Sequence, residues 1–281
     1  MAHPVPAGLA AAAPGRQTAP RPVNPTPIAA WPAATLVLIP AWNEAPCVAQ
    51  TIGHWRARGM RRVRVVDNAS TDATAAPARG ARGAGGEGRA EPRRGYGAAA
   101  WRGLQDWPDD CAWVLFSSAD GSDRLAPEEA AHWQAAVDGG ADLVLGDRVS
   151  RPESRRALKP VQRLGNALQC AVIAMGWGRR FRDMASLRLV RRAAFDRMRL
   201  QDRGFGWNVE MQVRALELGL RCVELPVTFH PRLAGESKIS GSLAGTWRAG
   251  AGILKMLVQL ARLRRGAAAR LAGRPAEARA A

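Results

Sequence analysis

Short apolar runs, each shut off abruptly by turn residues, constrain this 281-residue chain more than any other feature. They are TLVLI (35–39), VRVVD (63–67), WVLF (113–116), DLVLG (142–146), SLRLV (186–190) and RCVELPVTF (221–229). Runs of this length bounded by Pro, Gly, Asn, Asp or Ser read as strands, and unbroken apolarity marks strands buried on both faces. Helical patterns lie between several of them. Glu44 to Arg58 has Ile52 and Trp55 on its apolar side and Gly59 as its stop; Pro127 to Val137 is a second. In GWNVEMQVRALELGL, Met211, Ala215 and Leu218 share one side and Glu210, Arg214 and Glu217 another. Strands alternating with helices predict an α/β fold, a mostly parallel sheet flanked by helices in a single domain.

The remaining stretches set the boundaries. Residues 1–34 are Pro- and Ala-rich without a period and read as a disordered tail, as do residues 266–281. The folded domain is expected over 35–245. A basic amphipathic helix is expected over 246–265, with Lys255, Gln259 and Arg262 on a narrow polar stripe. Residues 77–94 lack the apolar content of a central strand and predict a weak edge or a loop. Arg151 to Lys159 reads as a basic loop, and Leu164 to Trp177 as a buried helix too short to cross a bilayer.

A net charge of +17 points to a polyanionic partner: nucleic acid, an anionic membrane surface or phosphorylated substrates. No nucleic-acid-binding module is recognisable and the aromatics are mostly isolated Trp, so nucleic acid is set aside. Cys47, Cys111, Cys170 and Cys222 are scattered, which argues against a zinc site or a disulfide framework and for a reducing compartment. The Ala-rich start is broken by Pro4, Pro6 and Pro14 and carries no secretory pattern. The expected location is cytoplasmic, peripheral at the inner face of the cell membrane.

Ligands of parallel α/β sheets bind beyond the carboxyl ends of the strands, and the candidate residues gather there. WVLF runs directly into SSADGSD. Asp120 and Asp123 at that position need a positive counterpart, and a divalent cation holding a diphosphate supplies one; a solvated Asp-Gly turn is the plain alternative. Asp67, closing VRVVD, suits a base N–H or a ribose, whereas Asp72 reads equally as a cap. Gly95 and Gly97 precede a helix containing Ala98 to Leu104, whose N-terminus would offer N–H groups to phosphate. Arg148, Arg188 and Lys238 could neutralise a departing phosphate. A hydroxyl acceptor needs a carboxylate base, Glu210 first and Asp183 second. The structural alternative for Glu210 is an i,i+4 pair with Arg214.

Taken in order, PAWNEA (40–45), VVDNASTD (65–72), EPRRGYGAA (91–99), SADGSD (118–123), LVLGDR (143–148), WNVEMQVRALELGLRCVELPV (207–227) and GESKISGS (235–242) carry a specific resemblance. Over residues 35 to 250 the chain resembles family 2 glycosyltransferases, the branch related to polyprenyl-phosphate (dolichyl-phosphate) glucosyl- and mannosyltransferases. The resemblance implies a GT-A fold, a UDP- or GDP-hexose donor, a Mg²⁺ or Mn²⁺ ion, a lipid-phosphate or glycan acceptor, and inversion at the anomeric carbon. It implies that Pro40, Ala41, Asn43 and Glu44 line the nucleotide pocket beside Asp67, that Gly95 to Gly97 approach the donor, and that Asp120 binds the metal. The chain departs from the pattern at Ser118, which stands where the first aspartate of the D-x-D motif is expected, with Asp123 as a partial substitute.

Overall fold

A computed structural model describes residues 31–76 and 86–235, together with 250–251, 255–256 and 258–259. The strands are β1 (Thr35–Ala41), β2 (Arg62–Asp67), β3 (Gly86–Ala90), β4 (Trp113–Phe116), β5 (Leu143–Asp147), β6 (Arg188–Arg191) and β7 (Cys222–Pro226). The helices are α1 (Ala45–Ala57), α2 (Tyr96–Leu104), α3 (Pro127–Asp138), α4 (Pro152–Ala157), α5 (Pro160–Trp177), α6 (Arg192–Met198) and α7 (Trp207–Glu217). One 7-stranded sheet runs in the order β3-β2-β1-β4-β6-β5-β7. All neighbours are parallel except β6, which is antiparallel to both β4 and β5. The fold class is as expected: an α/β sheet, mostly parallel and flanked by helices.

Unbroken apolar strands are needed because both faces of this sheet are covered. Leu36 and Leu38 of β1, Val114 and Phe116 of β4 and Leu143 and Leu145 of β5 point to one face, where Leu104, Ile173, Phe195 and Trp207 pack. Their alternates Val37, Ile39, Trp113, Leu115 and Val144 face Val48, Ile52, Trp55, Trp133 and Val137. The period of two thus divides each strand between two cores.

Several expectations need correction. The ordered chain begins before Thr35: Trp31 is buried, lies 6.0 Å from the Trp133 ring and donates its backbone N–H to Gln134. The weak edge expected within 77–94 is present as the edge strand β3, which is built from charge rather than apolar residues. Buried Arg64 donates to Glu87 Oε2 at 2.7 Å and to the Gly103 carbonyl at 2.6 Å, tying the edge to the end of α2. The basic stretch after Arg151 is the short helix α4 rather than a loop. Helix α5 is not buried: Leu164, Leu168 and Met175 are exposed. The described residues between 250 and 259 are helical, and Met256 packs beside Gly206. The rest of the helix expected over 246–265 lies outside the described residues.

Candidate functional site

The carboxyl ends of β1, β2 and β4 lie side by side, with Ala41 in register with Asp67. The loops that leave them meet at the sheet's edge. Asn43 sits at φ 53°, a left-handed conformation that Asn tolerates better than most side chains. Its backbone N–H donates to Ser70 Oγ at 2.9 Å, and its Oδ1 accepts the Thr71 N–H at 2.8 Å. Thr74 Oγ1 accepts the Glu44 N–H at 2.8 Å and Asp72 accepts the Ala45 N–H at 3.2 Å. The loop after β2 therefore caps α1, which fixes the capping role of Asp72 and the locking role of Asn43. Asp67 Oδ1 accepts the Ser70 N–H at 3.1 Å. Beside them the guanidinium of Arg94 lies 4.2 Å from the Trp42 ring.

Asp120 sits in the loop after β4. One oxygen accepts from Ser122 N–H at 3.0 Å and Ser122 Oγ at 2.6 Å. The other accepts from Arg232 Nη1 at 2.6 Å, and Arg232 Nη2 reaches both Glu44 oxygens at 2.5 and 2.7 Å. Two carboxylates 76 positions apart in sequence thus converge on one cationic group. Burial by itself would lower the guanidinium's pKa, but the hydrogen bonds to Glu44 and the charge of Asp120 outweigh it and raise it. Arg232 is the residue sequence reading missed. The signal was its place in HPRLAG, immediately after the apolar run RCVELPVTF.

Ser118 does not face that cation. Its hydroxyl donates to Ser186 Oγ at 2.9 Å, Ser186 Oγ donates to Asp123 Oδ2 at 2.8 Å, and Asp123 also accepts the Ser118 N–H at 2.7 Å. Asp123 is thus engaged by Ser118 and Ser186, ahead of α3, which starts behind Ala126. Buried Asp123 has a raised pKa, first from burial and then from the charge of Asp120.

Arg148 and Asp183, assigned separately to donor and catalysis, hold each other. Arg148 Nε and Nη2 bond the two Asp183 oxygens at 2.7 and 2.8 Å. Asp183 is nearly fully buried; burial alone would raise its pKa, yet Arg148 and two backbone N–H groups bring it below the usual range. Arg188 is buried inside the sheet, opposite Phe116 on β4. Burial pulls its pKa down to about 10, and it donates to the Asn208 carbonyl at 3.1 Å.

Glu210 is also buried, and its oxygens accept the N–H groups of Gln201 at 3.0 Å and Asp202 at 2.8 Å. It shapes the 201–204 loop and has no pair with Arg214, which bonds Glu217 instead. That loop meets the glycines before α2. Gly97 and Ala98 N–H donate to the Gly204 and Arg203 carbonyls, both at 2.9 Å, and Gly95 N–H to Asn68 Oδ1 at 2.8 Å. A Cβ on Gly97 would come within 2.6 Å of the Asp202 carbonyl oxygen. Gly95 and Gly97 are thus small to admit the 201–204 loop, and the N–H groups expected to face phosphate are engaged by protein. Lys238 lies outside the described residues.

Among the described residues no group of three or more His, Cys, Asp or Glu side chains could hold a metal ion by itself. The donor set does fit a cation completed by substrate phosphates, the usual way magnesium is held by one or two carboxylates. Asp120 would supply the carboxylate, and the Arg232 guanidinium marks a position between Asp120 and Glu44 that accepts positive charge.

Several known proteins resemble this chain in sequence or in fold. An uncharacterized glycosyltransferase of Mycobacterium tuberculosis is 37% identical over 219 residues, covering 76% of this chain and 93% of its own. An undecaprenyl-phosphate mannosyltransferase of Micrococcus luteus is 33% identical over 227 residues, covering 75% and 89%. A polyprenol monophosphomannose synthase of Mycolicibacterium smegmatis is 30% identical over 224 residues, covering 74% and 82%. The solved glucosyl-3-phosphoglycerate synthase from Mycobacterium tuberculosis, in complex with Mn²⁺, UDP-glucose and glycerol 3-phosphate, superposes with a TM-score of 0.61 at 17% identity, covering 82% of this chain and 80% of that one. At that identity the likeness supports the GT-A fold alone. The model of the family described as glycosyl transferase family 2 matches residues 36–203, more than half of the sequence, and the chain belongs to that family of glycosyltransferases.

Proposed function

We propose that this glycosyltransferase moves a hexose from a UDP- or GDP-sugar to a polyprenyl phosphate or another membrane-associated acceptor, with inversion, at the inner face of the membrane. The observation that carries the reading is the convergence of Glu44 and Asp120 on one cationic position at the carboxyl edge of β1 and β4. The names of the Micrococcus and Mycolicibacterium relatives supply the acceptor class. A Mg²⁺ or Mn²⁺ ion bound there would neutralise the departing diphosphate. Asp120 would hold the ion and Asp67 would orient the nucleoside. Arg232, released from Asp120, would stay within reach of the phosphates. With a lipid phosphate as acceptor no side-chain base is required, because the nucleophile is already an anion near neutral pH. The engagement of Glu210 and Asp183 in structural contacts supports such an acceptor over a sugar hydroxyl.

The test is transfer of radiolabelled sugar from UDP-glucose or GDP-mannose to undecaprenyl phosphate, with Mg²⁺ or Mn²⁺ and then with chelator. The expected result is organic-extractable label from one donor, abolished by chelator. A second reading, a catalytically weak nucleotide-sugar-binding relative, is favoured by Ser118, whose hydroxyl is bonded to Ser186 instead of adding a carboxylate. Donor binding without transfer to any acceptor would support it.

A further inference from the structure

Most of the large apolar side chains exposed among the described residues sit on one helix. Val161, Leu164, Leu168 and Met175 of α5 are 40%, 72%, 63% and 80% exposed. At about 100° per residue these four fall within an arc of about 60°, along a line about 21 Å long. The buried side chains of α5, Asn166, Cys170 and Ile173, lie on the opposite side. Leaving such a continuous stripe in water is unfavourable, and a stripe of this kind marks an interaction surface.

The charge around it selects the partner. Between residues 151 and 180 the bases Arg151, Arg155, Arg156, Lys159, Arg163, Arg179 and Arg180 face a single acid, Glu153. Arg155, Arg156, Lys159 and Arg163 are exposed near the amino end of the stripe, and Arg179 and Arg180 are exposed just past its carboxyl end. A second copy of the same face would bring these like charges together, which opposes self-pairing. An anionic bilayer satisfies both features, taking the apolar stripe into its interface and the flanking cations at its headgroups.

We infer that α4 and α5 form a docking face for an anionic lipid surface, with Val161, Leu164, Leu168 and Met175 inserted and the basic residues at either end on the headgroups. The inference rests on the proposed use of a membrane-associated acceptor only for its purpose; the surface argument stands on exposure and charge. The face is joined to the candidate site from behind. Asn166 donates to the Arg182 carbonyl at 3.2 Å and accepts the Met184 N–H at 2.7 Å, bracketing Asp183, which holds Arg148.

The test is flotation of the full chain with vesicles of phosphatidylcholine alone or of phosphatidylcholine mixed with phosphatidylglycerol. The wild type is expected to float with the anionic vesicles, less so as salt rises, and poorly with the neutral ones. Leu164→Asp/Leu168→Asp is expected to reduce partition about tenfold or more while its circular dichroism stays unchanged. If instead the double variant floats like the wild type, or the wild type ignores anionic vesicles, the inference is overturned. A dimer in solution that the double variant dissociates would also overturn it, in favour of a second copy. Should the variant misfold, Arg155→Ser/Arg156→Ser/Lys159→Ser replaces it, with the same loss expected at low salt and an unchanged partition counting against. Transfer to a short-chain, water-soluble polyprenyl phosphate separates the two proposals, since it needs no bilayer. It is expected to be equal in wild type and variant, and its failure in both would contradict the proposed function without touching the docking face.

Discussion

Arg232 is the residue on which the candidate site turns. It satisfies Glu44 and Asp120 with one guanidinium, and all three side chains are largely buried. Removing one partner of such a cluster leaves uncompensated charge, whereas a replacement cation relieves it. Arg232→Gln is therefore expected to lower the melting temperature in metal-free buffer and to bind Mn²⁺ about tenfold more tightly without nucleotide, since the resident competitor is gone. Titration followed by calorimetry checks this; an unchanged or weaker affinity would show that Arg232 and the metal do not share Asp120. Ser118 illustrates a limit of reading residues singly. The departure from a paired-aspartate pattern was visible, but the reason for it was not. Asp123 is already buried beside Ser118, and a second carboxylate there would face it across Ser186.

At the scale of elements, the strands were legible because a run buried on both faces has no polar position to confuse the pattern, as WVLF and DLVLG show. Helix α5 was misjudged for the converse reason: the same apolar composition describes a buried helix and one that presents a stripe outward, and only the packing of Asn166, Cys170 and Ile173 decides. The structural part played by Glu210 was not legible, because an acid on the first turn of a helix serves equally as a proton acceptor or as an anchor for a neighbouring loop. In α7 it anchors 201–204, which in turn fits against Gly95 and Gly97. Glu210→Gln halves its acceptor capacity toward those backbone N–H groups and is expected to cost about 1–3 kcal/mol of stability by denaturant unfolding. The pH dependence of transfer is expected to keep its shape. Loss of a titrating limb in the variant's rate profile would restore Glu210 as a proton acceptor.

At the scale of the whole molecule, acid stability carries a signature from a histidine of α1. His54 lies on α1 and accepts the Leu125 N–H at 3.2 Å, so it is held neutral. Burial first, then the charges of Arg58, Arg124 and His230, lower its pKa from 6.5 to about 4. The unfolded chain therefore takes up a proton that the folded one refuses between those values. The contribution is fully present above pH 6.5, is lost as pH falls through that window, and is gone below about pH 4. His54→Gln is expected to flatten this part of the stability curve measured by urea unfolding from pH 7 to 4, and an unaltered slope would argue against a neutral buried imidazole. Domain limits were only partly legible: the Pro/Ala-rich start looked featureless through Ala34, yet Trp31 belongs to the core, because one large side chain carries no periodicity of its own. Family membership was legible from motif order, since the loops that carry those motifs follow β1, β2 and β4 to one edge of the sheet.

In the proposed function, Asp120 is the carboxylate through which metal and donor are held together. Isothermal calorimetry of UDP- and GDP-hexoses with the wild type and Asp120→Ala, each with Mn²⁺ and with chelator, tests it most directly. The expected result is metal-dependent binding of one donor by the wild type and a loss of about a hundredfold or more in the variant. Equal metal-dependent affinity in both proteins would contradict it.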